Sequence, residues 1–126
     1  MDKKEFLESL DYYIFHLIID RSEIFAHEMI ANFHIDRESI EEGLKEYNVS
    51  SKKMLLLKNA DQYFISIVKD VLIWWEKDGI FSLRERYKNE ITKEMWYWWI
   101  DEIVKGEYPI KMIPDHLKKE VEQYYK

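Results

Sequence analysis

Arg21 and His27 bracket the run RSEIFAH in the first quarter of the chain. A guanidinium can stabilise developing negative charge, and an imidazole can move protons near neutral pH. Glu23 lies one helical turn before His27, and His34 follows two turns later. On one face these three could ligate a metal, but the helix carrying them is expected to end near Phe33, and no metal is assigned. A second pattern is electrostatic. Glu38, Glu42 and Glu46 repeat every four residues, with Glu41 beside them. Like charges at that spacing cost a helix roughly 0.2–0.5 kcal/mol per pair. The stripe beneath them, Ile40, Leu44 and Tyr47, is narrow. The row contributes little to folding, which leaves a solvated face or a docking surface for a cationic partner.

The rest of the chain offers little catalytic chemistry. There is no glycine-rich phosphate loop, no Ser or Cys in a nucleophile motif, and no carboxylate pair that stands out from the general acidity. Cysteine is absent, which excludes disulfides and thiolate metal sites. Non-enzymatic action is the expectation, with no cofactor, although residues that converge only in space leave no local motif.

The elements that must position these residues read as helices throughout. Apolar residues recur at three- and four-residue spacing, and only three Gly and two Pro interrupt them. The expected fold is all-α: one domain over 1–126, a compact bundle of five to seven helices around a central helix spanning about residues 54–78. That helix has the widest apolar arc, including Leu57, Ala60, Phe64, Ile67, Val71 and Trp75, and a bend is placed near Asn59–Asp61. Helix one is expected over 3–20, capped by Asp2 with Glu5 at capping-box spacing. Helix two covers about 23–33, and Asp36 caps a third to about Tyr47. Ser50 or Ser51 opens the long segment, and Gly79 ends it. Ser82 and Glu85 suggest another capping box. The segment 83–105 reads as one helix or two, with Thr92 as a second possible cap, and Gly106 stops it. A short helix follows Pro114.

Charge is unevenly placed. The net charge is −6, yet residues 1–50 hold 5 basic and 12 acidic side chains, whereas 51–126 hold 14 and 13. The acidity belongs to the first part, which favours a basic partner over nucleic acid. No secretory leader is visible, and no apolar run approaches the roughly 20 residues of a membrane span. A cytoplasmic protein with no membrane partner is expected. Tyr12, Phe15 and Ile19 form a second apolar patch on helix one, opposite its main stripe. That patch is either sandwiched in the bundle or free for a partner, including self-association.

Two short stretches resemble known motifs. Arg21 to His27 has the R-x5-H spacing of HEPN-type ribonucleases, a small all-α class. The resemblance implies RNA cleavage, with Arg21 and His27 as catalytic residues. IANFHIDRESIEEGL, residues 30–44, resembles a helix-turn-helix, with Ile35, Ser39, Ile40 and Leu44 at turn and recognition-helix positions. This resemblance implies a degenerate DNA-binding regulator. His34 stands where that motif usually has Gly, and Ile30 where it usually has Ala. Glu38, Glu41, Glu42 and Glu46 would repel phosphate, so nucleic acid is not the expected partner.

The stretch MWYWW, 95–99, completes the set. On a helix through 92–105, Trp96, Ile100 and Ile103 align as core, flanked by Trp99, and Tyr97 lies at the edge. Trp98 projects among Glu94, Asp101, Glu102 and Lys105. It is either packed under a neighbouring segment, such as the 108–114 loop, or an exposed anchor for a partner. These features point to an intracellular inhibitor, an immunity protein, antitoxin or anti-defence protein. Its binding residues would be Glu38, Glu41, Glu42, Glu46 and Trp98, set against a basic, nuclease-like target.

Overall fold

A computed structural model describes the backbone at residues 2–23 and 27–125, and side chains at 2–23 and 32–125. The described residues are all-α, with seven α-helices and no strand. These are α1 (Lys3–Ile14), α2 (His27–Leu44), α3 (Ser51–Ser66), α4 (Val68–Asp78), α5 (Ile80–Arg86), α6 (Ile100–Val104) and α7 (Lys118–Val121). Among them, no helix is long and apolar enough to cross a membrane. Contacts group the chain into two compact units, Met1–Phe64 and Ile65–Lys126.

The first unit is built on α1. Asp2 caps it, its carboxylate accepting from the Glu5 amide at 2.8 Å. After Ile14 the helix widens into a π-helical turn, Phe15–Ile19, closed by the Asp20 amide donating to the Phe15 carbonyl. One face of α1 and this turn buries Phe6, Leu10, Tyr13 and Leu17. The Phe6 ring lies directly over Gly43 of α2, in the space a β-carbon would occupy. Ser50 opens α3 by accepting from the Lys53 amide. Phe33 of α2 meets Phe64 of α3 edge to face, with centroids 5.6 Å apart.

Two expectations for this part are corrected. The break between a helix ending at Phe33 and another capped by Asp36 does not form, and α2 continues from His27 to Leu44. No Gly or Pro occurs in it before Gly43, and Phe33, Arg37 and Ile40 make one continuous buried stripe. The helix-turn-helix reading loses its turn. The helix expected over 54–78 is likewise two helices, interrupted not at Asn59–Asp61 but at Ile67, where φ is −110° and ψ is 15°. Ile65, Ile67 and Val68 crowd β-branched side chains into four residues, which weakens the helix there.

In the second unit, Gly79 ends α4 in the left-handed conformation (φ 71°), and α5 starts at once. Ser82 is therefore inside a helix rather than at its cap. The helix expected through 92–105 is replaced by a loop, a 3-10 turn at Trp96–Trp98 and the short α6. Trp96, Tyr97 and Trp98 are all buried. A tight turn with three residues per turn sends three neighbours in three directions, which suits a segment enclosed on every side. Trp98 packs near Trp75 of α4, with centroids 6.4 Å apart. Gly106 (φ 70°) follows α6, with the Tyr124 carbonyl where its β-carbon would be.

Candidate functional site

The first unit holds an enclosed ionic cluster, and it determines which way α2 faces. Asp61 of α3 and Arg37 of α2 are both buried, as is Tyr13 of α1. One Asp61 oxygen accepts from the Tyr13 hydroxyl at 2.7 Å and from Arg37 Nε at 2.8 Å. The other accepts from Arg37 Nη2 at 3.1 Å. Arg37 Nη1 reaches Glu41 at 2.8 Å, one turn further along α2. Three helices thus share one carboxylate, with forked charge-assisted geometry. Burial, then the neighbouring Asp61 charge, pushes the Tyr13 phenol well above its ordinary pKa. Burial opposes the Arg37 charge, but Asp61, Tyr13 and Glu41 together outweigh it and hold the guanidinium protonated, above its ordinary value.

The cluster was legible in part. Asp61 is the one acidic residue between 51 and 66, and Leu57, Phe64 and Ile65 sit at positions that share its face. A lone carboxylate on an apolar face requires a buried partner. Nothing local, however, identifies Arg37 or Tyr13 as that partner.

With Arg37 turned inward, the acidic row is placed as follows. Glu42 and Glu46 are exposed, and Glu38 is half-buried. Glu41 is partly exposed while bound to Arg37. Lys45 pairs with Glu42 at 3.1 Å, both side chains being largely in solvent. Two other groups on α2 are perturbed by burial alone. Asp36 is pushed up to about 6, and His34 down to about 4.

The Arg21 and His27 of the ribonuclease-like spacing are not brought to a described site. Arg21 donates from Nε to the Leu17 carbonyl at 2.7 Å, and its guanidinium covers the Tyr63 ring at 3.5 Å. The His27 side chain lies outside the described residues. Among the described residues, no group of three or more His, Asp or Glu could hold a metal ion.

Trp98 is only 5% exposed, so it is not an exposed partner anchor and leaves the docking set. Its carbonyl accepts from Arg84 of α5, which also forks onto Asp101 of α6 at 2.7 and 3.0 Å. Trp99 takes the half-exposed position instead. Its ring stands 4.1 Å from the Arg84 guanidinium carbon and 3.8 Å from Lys93 Nζ. Its indole nitrogen donates to the Thr92 carbonyl.

The patch on helix one is open rather than sandwiched. Tyr12 is 44% exposed, Phe15 41% and Ile19 68%. Together with Ile14 and with Leu56 of α3 they line a shallow groove of about 490 Å³. Glu8, Asp11 and Lys53 stand at its rim, and Lys53 is paired with Asp11.

In comparisons with family models, curated proteins and solved structures, the chain matches none.

Proposed function

We propose that the protein is a non-enzymatic, protein-binding inhibitor acting inside the cell, of the immunity-protein, antitoxin or anti-defence kind. The acidic outer face of α2 would cover the basic active surface of a nuclease-like target. One observation carries this reading. Arg37, a cation that would otherwise offset the row, is withdrawn into the ion pair with Asp61. Asp61 and Glu41 together outweigh its charge, while Glu42 and Glu46 stay exposed on the outer side of α2, where Lys45 pairs with Glu42. Like charges in a row weaken the helix that carries them. A partner surface of opposite sign would turn that cost into faster association.

The test begins with the partner, captured from the native cell by affinity purification and identified by mass spectrometry. Reversing Glu38, Glu42 and Glu46 to Lys is expected to leave the helical circular dichroism signal intact and to slow association at low salt. Association rates unchanged by the reversal would sink the proposal.

A further inference from the structure

We propose that the groove along the outer face of α1 is a second contact surface, seating a short cationic amphipathic helix of the partner. This inference rests on the reading that the partner is basic, and it adds a surface separate from the acidic row of α2. Three observations carry it. First, Tyr12, Phe15 and Ile19 repeat at the spacing of one helix face over two turns, and all are exposed. A stripe of that length matches the anchors of a helix laid in a groove. Second, the floor is apolar, with Ile14 and Leu56 completing it. Third, the rim is acidic. Lys53, the cation at the rim, is already paired with Asp11, which leaves Glu8 as the surplus charge. Lys4 and Glu5 both stand exposed one turn before Glu8 and offset each other, so Glu8 remains the surplus. The matching ligand carries Leu- or Phe-type anchors on one face and Lys or Arg beside them. A second copy of the chain is a poorer occupant, because a two-fold pairing would set one acidic rim against the other.

The experiment uses the full chain and a fluorescent synthetic peptide of Lys and Leu at helical spacing, followed by anisotropy at low salt. Saturable binding is expected. Phe15→Ser with Ile19→Ser should weaken it about tenfold or more, the scale of removing buried anchors. Ile19 is 68% exposed but Phe15 is more than half covered, so Ile19→Ser alone, which should weaken binding without moving the melting temperature, accompanies the double variant. Glu8→Lys, a change confined to the surface, should weaken binding several-fold and flatten its salt dependence. The triple Lys reversal on α2 should leave peptide binding in place. Equal binding by the wild type and the Phe15/Ile19 variant overturns the proposal. So does equal binding of a Glu and Leu peptide. Loss of binding in the α2 reversal alone overturns the groove and leaves the acidic-helix reading standing. A dimer seen by light scattering that disappears with Phe15→Ser and Ile19→Ser, together with no peptide binding, assigns the groove to a second copy and overturns it too.

Discussion

Arg37 Nε lies 2.8 Å from Asp61 Oδ1, and the two residues are 4% and 0% exposed. A buried pair of this kind is costly to break from one side. Arg37→Leu would leave the Asp61 carboxylate without its counter-charge, and should destabilise the protein by about 3–5 kcal/mol. The double change Arg37→Met with Asp61→Leu should recover most of that loss, because no buried charge is then stranded. Urea denaturation of the three proteins checks both statements. A double variant as unstable as the single one would show that the pair's worth lies elsewhere.

Removing only the Tyr13 hydroxyl is a milder change. Tyr13→Phe deletes a hydrogen bond to a charged acceptor that Arg37 still satisfies. A loss of about 1.5–3 kcal/mol is expected. The same denaturation experiment measures it, and it should be smaller than the loss in Arg37→Leu.

The two adjacent tryptophans should differ, in the order opposite to the one their spacing suggests. Trp98→Ala empties a buried site beside Trp75 and should cost on the order of 3–5 kcal/mol. Trp99 is half-exposed and contributes chiefly its stacking on Arg84 and Lys93. Its replacement by Ala should cost about 1–2 kcal/mol. Thermal melts of the two variants rank them, and Trp99→Ala being the less stable protein would contradict this packing.

His34 and Asp36 should pull the pH dependence of stability in opposite directions. His34 titrates near 4 when folded against 6.5 ordinarily, so the unfolded chain binds the extra proton. Its contribution is present above about pH 6.5 and is lost as pH falls toward 4. Asp36 titrates near 6 when folded against 3.8 ordinarily, so here the folded chain binds the extra proton. Its contribution is present below about 3.8 and is lost as pH rises through 6. Between pH 4 and 6 the two slopes largely cancel. Asp36→Asn should remove one of them, leaving stability that rises with pH across that window. Denaturant titrations at four or five pH values would show it, and a variant whose profile matches the wild type would refute the assignment.

Gly43 is a steric requirement rather than a flexible joint, since the Phe6 ring occupies the position of its missing side chain. Gly43→Ala should cost about 1–3 kcal/mol by overpacking, despite the better helix propensity of Ala. If Phe6→Leu in the same protein restores part of that stability, the clash is the cause.

The amino-acid sequence by itself determined what depends on near neighbours. Three- and four-residue spacing marked the helices. Asp2 and the Ser50-Ser51 pair marked two starts, and Gly79 and Gly106 two ends, because capping acts within one turn. The charge imbalance and the Glu38, Glu42, Glu46 row were equally plain. Tertiary structure alone decided where ambiguous side chains point. Nothing near Arg37 in the chain places it inside; Asp61, 24 residues away, does. Trp98 and Trp99 exchanged roles because a buried 3-10 turn replaced an amphipathic helix, a turn whose Trp98 carbonyl is held by Arg84, 14 residues upstream. The uninterrupted α2 likewise followed from a stripe that needed Arg37 as a buried member. The wheel of a single helix could not supply that stripe, because a charged side chain becomes a core residue only when its partner arrives from another helix.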